Sequence, residues 1–210
     1  MTSEDKEKVR AAVAKAESVL RAEIVPAVFT QSSPYPESVW AGAGAGMSLA
    51  VAALFLLDIF HPLWLPLSRL IPWVPAAGLV GAMLGRWCLP IKRALIGKSR
   101  MQDAVERRAK EVFYDHGVAA TTGRDGVLIF ASLLERRVIV LADETIRAKI
   151  KPDAWDAAIA EMTRHCGDGR TADGLSGAVE KIGAALTAAG FGGTPNSNQL
   201  GDEPIEGDGR

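Results

Sequence analysis

Apolar residues fall at helical spacing near the start of the chain, at Val9, Val13, Ala16 and Leu20. Ser3, Glu4 and Asp5 precede them as an N-cap and first-turn acids, so the pattern predicts a first helix. AEIVPAVF (22–29) then reads as a strand, with Pro26 removing a ladder donor and predicting an edge or bulge position. A second helix is predicted from about Arg100 to His116, with Met101, Val105, Ala109 and Val112 on one face and Gly117 at its end. GVLIFASL (126–133) is apolar at both parities and RVIVLAD (137–143) follows at once, which predicts a hairpin of two central strands. Pro152 opens a helix carrying Trp155, Ile159 and Met162 and ending at Gly167, and Leu175, Val179, Ile182 and Leu186 mark a last one. Residues 191–210 lack apolar periodicity and are expected to be a disordered tail. Together these elements predict an α/β fold, a small sheet flanked by helices.

The polar residues nearly vanish in one place. From Val39 to Ile91, 53 residues hold only Asp58, Arg69 and Arg86 as charges. Val39–Leu57 and Leu70–Leu89 are each long enough to cross hydrocarbon once, and the proline-rich DIFHPLWLPLSR between them breaks helix. The segment predicts a two-helix transmembrane hairpin, with Trp40, Trp64, Trp73 and Trp87 near the span ends. It interrupts the α/β domain, giving residues 1–38 and 99–190 as one discontinuous domain, 39–98 as the hairpin with a basic juxtamembrane segment, and 191–210 as the tail. Small residues four apart, Gly42 and Gly46 on one helix and Gly81 and Gly85 on the other, allow close backbone approach, either within the hairpin or between two copies as a homo-oligomer.

Charge refines the placement. The twenty residues from Ile91 to Lys110 hold Lys92, Arg93, Lys98, Arg100, Arg107, Arg108 and Lys110, against Arg69 alone between the spans. The positive-inside bias therefore expects a multi-pass protein of the plasma (inner) membrane with two spans, the soluble domain and both termini cytoplasmic, and the bilayer as its first partner. The start of the chain lacks the short apolar run of a cleaved signal peptide. With 24 basic and 25 acidic residues and a net charge of −1, the chain has no basic excess suited to phosphate backbones, so no nucleic-acid partner is expected. Only Cys88 and Cys166 occur, which excludes a disulfide scaffold.

The sequence resembles the TPM domain family. The residues that carry the resemblance are AEIVPAVF, Ser32-x-x-Tyr35, the run AKEVFYDHGVAATTGRDGVLIFASLLERRVIVLAD, then AWDAAIAEM and GLSGAVEKIGAAL. Phe113 and Gly117, Gly126 to Ile129 and Val138 to Leu141 match in order a helix end, an "nGVLI" strand and its hairpin partner. The likeness covers about 120 residues; the chain departs by the inserted hairpin, by Pro26, and by Ala142-Asp143 where many relatives carry a Gly-containing turn. The resemblance implies an α/β/α fold with an acidic pocket, weak acid-phosphatase activity or calcium binding in some members, and assembly or repair roles alongside another membrane protein complex in others.

One end of the domain carries candidate chemistry. A hairpin turning at Leu134–Arg136 places Asp125, before its first strand, near Asp143 and Glu144, after its second. Three carboxylates there suit a hard cation, Ca²⁺ or Mg²⁺, with Thr121, Thr122 and carbonyls around Gly123 as further oxygens; the alternative is solvated acids capping strand ends. His165-Cys166 lacks a second ligand pair at zinc spacing, and neither Ser99 nor Ser132 stands in a G-x-S-x-G elbow. The expected function is a membrane-tethered interaction, assembly or quality-control module with an acidic metal-binding end, and the alternative is a weak metal-assisted acid phosphatase acting on phosphomonoesters.

Overall fold

A computed structural model of the chain describes residues 1–60, 67–150, 152–193 and 200–209. The elements in order are α1 (Ser3–Glu17), β1 (Glu23–Phe29), α2 (Glu37–Phe60), α3 (Leu67–Leu70), α4 (Trp73–Trp87), α5 (Leu89–Leu95), α6 (Lys98–Asp115), β2 (Gly126–Ser132), β3 (Arg137–Ala142), α7 (Glu144–Arg147), α8 (Asp156–Gly167), α9 (Thr171–Leu186) and β4 (Ile205–Gly207). The chain divides into two compact units, residues 1–33 with 102–210 and residues 34–101.

The first unit is a four-stranded sheet in the order β3-β2-β1-β4, with β1 parallel to both neighbours and β2 antiparallel to β3. Side chains alternate across it as the pleat requires. Ile24, Val28, Val127, Ile129 and Ala131 pack with Val9 and Val13 of α1, Met162 of α8 and Leu175, Val179 and Ile182 of α9. Val25, Ala27, Phe29, Leu128 and Phe130 pack on the other face with Val105, Ala109 and Val112 of α6. β1 and β2 are buried along their whole lengths, as expected for strands covered on both faces.

Four details differ from the sequence expectation. Helix α1 is capped by Thr2, one residue before Ser3, through a reciprocal box with Asp5. β3 is an edge strand and not a central one. Pro26 lies in an inner strand, yet its missing N–H costs no ladder bond. Glu23 N–H donates to Asp125 O, so odd residues of β1 face β2; Ile24 N–H on the other row donates to Glu17 Oε1 at 2.9 Å, and Thr30 N–H on that row donates to Gly207 O at 3.0 Å. Pro26 sits between these two, where the β4 ladder, which begins at Ala27, has not yet started.

The fourth difference is the tail. Residues 205–207 form β4 beside β1, Leu200 and Ile205 join the α6-side core, and Phe191 is buried in the opposite one. For the described residues 191–193 and 200–209 the expectation of disorder does not hold, because a three-residue strand is too short to show periodicity while its main chain finds a partner in β1; residues 194–199 and 210 lie outside the described residues. A Cβ at Gly207 would lie 2.1 Å from the Phe29 ring, so glycine lets the tail approach that closely.

The second unit is built around α2 and α4, whose backbones touch. A Cβ on Gly42 would stand 2.3 Å from Gly81 O, one on Gly46 2.3 Å from Ala77 O, and one on Gly85 2.3 Å from Ser38 O. Ser38 Oγ donates to Gly85 O at 3.0 Å at the base of the pair. Gly42, Gly46, Gly81 and Gly85 thus lie in the contact between α2 and α4 of one chain, the first of the two arrangements their spacing allows. Outside, Trp40, Leu49, Phe55, Trp73, Leu79 and Trp87 are exposed. Trp64 and the prolines at 62 and 66 lie outside the described residues.

Only one described helix, α2 with 24 residues and a mean hydropathy of 2.0, is long and apolar enough to cross a membrane by itself. The expected second span is not supported as a single helix: α4 has 15 residues, about 22 Å against roughly 30 Å of hydrocarbon, and α5 follows at a 99° bend. Cys88 is extended (φ −84°, ψ 99°) and Pro90 stands in the first turn of α5, which breaks the helix there. Lys92 also departs from the basic surface run, being buried with its ammonium 5.8 Å from the centre of the Tyr35 ring.

Removing residues 200–210 is expected to lower stability by about 2–4 kcal/mol through the lost burial of Leu200 and Ile205. Urea unfolding of the full-length and shortened chains in detergent checks this, and equal midpoints would refute a packing role for the tail.

Candidate functional site

The site grows from the start of β2. Gly117 in the left-handed region (φ +70°) ends α6 and turns the chain through Val118–Ala120 into a loop. There Thr121 Oγ1 accepts from the Asp125 N–H at 3.1 Å, while Asp125 O accepts from the Glu23 N–H, tying this loop to the start of β1. At the end of β3 the Asp143 N–H donates to Gly126 O, and Asp143 Oδ1 accepts from the Glu144 N–H at 2.7 Å, capping α7. The hairpin therefore brings Asp125 and Asp143 to one end, as the sequence predicted. Asp125 is 5% exposed and Asp143 9%.

Glu144 does not join them. Its side chain is 84% exposed and 3.7 Å from Arg124 Nη1, because the residue after a helix N-cap begins the spiral and turns to solvent. Thr121 is engaged with the Asp125 backbone, and Gly123 O accepts from Thr145 Oγ1 at 3.4 Å. Among the described residues no group of three or more acids, histidines or cysteines is spaced to hold a metal ion. The two aspartates nevertheless have acceptor capacity to spare: Asp125 Oδ1 and Asp143 Oδ2 are buried with no hydrogen-bond partner among the described residues. Burial pushes the Asp125 carboxyl above its ordinary range, Thr121 and Arg21 oppose this, and the Asp143 charge adds to it. A divalent cation fits this donor chemistry, since it would satisfy both oxygens and neutralise two like charges.

Sequence reasoning missed a second set of acids at the same end of the sheet. Glu17 closes α1 and gives Oε1 to the Ile24 N–H, and burial pushes its carboxyl up to about 7, with Glu23 and Asp202 as neighbouring acids and Asp202 in hydrogen-bonding contact. Glu23 is opposite Gly126 in the ladder, one residue from Asp125, and is buried. An acid opening an otherwise apolar strand was the available signal for Glu23; nothing in the pattern linked Asp202 to it.

The opposite end of the sheet holds a closed polar network. Ser32 Oγ donates to Ser132 Oγ at 2.8 Å, Ser132 Oγ donates to Glu135 Oε2, and the Ser32 N–H donates to Glu135 Oε1 at 2.9 Å. Glu135 is 3% exposed. Every donor here ends on a carboxylate shielded from solvent, so the network fixes Ser32 against the β2–β3 turn and leaves its hydroxyls no route to a substrate.

Comparison with known proteins agrees with this architecture. The family model described as the TPM domain matches residues 94–185, which hold α6, β2, β3, α7, α8 and most of α9. No curated protein matches. Among solved structures, the NMR structure of BA42 protein from the psychrophilic bacterium Bizionia argentinensis sp. nov. is similar with a TM-score of 0.60 and 16% identity, over 99% of this chain and 95% of that one. At that identity the likeness is one of fold. The resemblance read from the sequence is supported over the matched residues.

The raised Glu17 carboxyl sets a pH dependence. A folded value of about 7 against an ordinary 4.5 means that the folded state holds an extra proton between them, so stability falls as pH rises through that window. Glu17→Gln keeps an oxygen for the Ile24 N–H and is expected to flatten this slope. Urea midpoints at pH 5 and pH 8 should differ for the parent and converge for the variant; parallel slopes would refute the assignment.

Proposed function

We propose that this chain is a membrane-tethered interaction and assembly module of the TPM type, held in the plasma (inner) membrane by its α2–α4 helix pair, with the α/β domain and both termini on the cytoplasmic side. The observation that carries this reading is α2: no residue of its most apolar window is fully buried by protein, and in water such a surface would be strongly unfavourable. Packing between α2 and α4 supports it, because glycine-to-backbone contact holds helices together where no hydrophobic effect operates between them. Arg93, Lys98 and Arg100 after α4 fit the cytoplasmic side. An associated membrane protein complex is the expected partner of the soluble unit.

Lysine at Leu49, Phe55 and Leu56, three exposed apolar positions, should release the chain from membranes. Each cation near mid-bilayer costs about 2.5–3.5 kcal/mol, so the triple variant is expected in the alkaline-wash supernatant while the parent stays in the pellet. A parent that washes off would overturn the tether. Reporter fusions at Gly97 and Arg210 should both read cytoplasmic.

A second reading concerns the acidic end, and the orphaned Asp125 and Asp143 oxygens favour it. Those two carboxylates would hold Ca²⁺ or Mg²⁺, with Glu144 kept out by its turn toward Arg124. When bound, the ion would supply charge neutralisation and, in the phosphomonoesterase alternative, a Lewis acid. Calcium at 100 times its dissociation constant should stabilise the detergent-solubilised chain by about 2.7 kcal/mol. Asp125→Asn with Asp143→Asn should abolish the shift and raise metal-free stability, whereas Glu144→Gln should leave both unchanged. Unfolding curves that millimolar calcium or magnesium does not move would refute this site, and hydrolysis of a generic phosphomonoester insensitive to chelator would refute its catalytic role.

A further inference from the structure

The charge of the unit built on α2 and α4 gathers at one end. Residues 34–41 and 82–101 hold five bases, Arg86, Lys92, Arg93, Lys98 and Arg100, against one acid, Glu37. That acid is already taken, since Arg100 Nε donates to Glu37 Oε1 at 3.2 Å, and Lys92 is buried beside the Tyr35 ring. Arg86, Arg93 and Lys98 have no ion pair among the described residues. The Ser38–Gly85 contact sets Arg86 level with Glu37, and the Glu37–Arg100 bond brings Lys98 to the same end.

The same end is apolar on its outside. Trp40 is 78% exposed, Trp87 63% and Leu89 58%. Contacts of Ser38 with Gly85, Gly42 with Gly81 and Gly46 with Ala77 step evenly along both helices, so α2 and α4 run side by side. Trp40 and Trp87 then lie about 6 Å apart along the common axis, one helical turn. Helix α5 leaves α4 at 99°. Where α2 and α4 stand upright in a bilayer, this bend lays α5 along the bilayer surface, at the level the two indole rings mark. Leu89 and Arg93 are four residues apart on α5 and share a face, so an apolar side chain and a cation extend from one side.

We infer that α5 is an interfacial elbow, lying in the headgroup layer with Trp87 and Leu89 at the acyl boundary, where Arg86, Arg93 and Lys98 bind the phosphates of anionic lipids. This rests on the membrane tether proposed above and names the lipid class that the tether selects. A bilayer surface offers apolar matter and phosphate charge side by side, the juxtaposition that this end presents. A soluble polyanion would leave the indoles in water, and an apolar protein face would bury the cations without partners.

For the test, the full chain with Cys88→Ser and Cys166→Ser carries a fluorophore at Leu89→Cys and is reconstituted into phosphatidylcholine vesicles. These hold the same small fraction of a lipid with a nitroxide high on its acyl chain, either phosphatidylglycerol or phosphatidylcholine. The phosphatidylglycerol form is expected to quench at least about twofold more strongly, because surface cations enrich anionic lipid around them. Arg86→Gln with Arg93→Gln and Lys98→Gln should remove this preference while the chain still resists an alkaline wash, and raised salt should weaken it in the parent. Equal quenching by the two lipids, or a preference unchanged in the triple variant, would overturn the headgroup site. Quenching by neither would overturn the placement of α5. In each of these cases a chain that stays in the washed pellet leaves the tether standing, whereas a parent released by the wash overturns tether and elbow together.

Discussion

The backbone of β1 is the constraint on which the α/β unit turns. Seven consecutive residues are buried, so each N–H and C=O along both rows needs a partner or must be absent. β2 serves one row along its whole length. The other row is served in three ways: the Glu17 carboxylate takes the Ile24 N–H, Pro26 has no N–H to satisfy, and β4 covers the strand from Ala27 onward. A side chain from the end of α1 and a segment from the end of the chain are thus both required by one strand. This requirement half-buries Glu17 and brings Asp202 and Glu23 beside it, so the raised carboxyl is a consequence of strand satisfaction.

The two ends of the sheet show how burial treats carboxylates differently. Glu135 accepts from the Ser32 N–H and the Ser132 hydroxyl, and such donors hold a charge stably out of water. Asp125 and Asp143 are comparably buried, yet each keeps an oxygen without a donor and each is close to a like charge. One end is closed chemistry that fixes a loop. The other has acceptor capacity to spare, the observation from which the proposed cation site starts.

In the helix pair, small residues solve a different problem. Gly42, Gly46, Gly81 and Gly85 bring the α2 and α4 backbones into contact, a packing mode that needs no hydrophobic drive between the helices. The large apolar side chains are left outside, the reverse of the α/β unit, in which they fill the two cores. The chain thus carries two opposite polarity patterns, large apolar side chains inside in one unit and outside in the other.

The sequence alone determined what depends on local periodicity and strong punctuation: helices α1, α6, α8 and α9, the twice-covered strand β2, the apolar stretch between β1 and α6, and the meeting of Asp125 with Asp143 across a hairpin. These follow from neighbours in the chain or from a single turn. The tertiary structure decided what depends on residues far apart. It made the tail a strand, because β1 had an open row, and set β3 at the edge, because β1 and β4 took the other side of β2. It set the glycines of α2 against those of α4, a pairing between residues some forty positions apart. It turned Glu144 away from the aspartates, because capping by Asp143 starts a helix there. Glu17, Glu23 and Asp202 were illegible as a cluster for the same reason: three distant segments place them together, and no local pattern encodes that meeting.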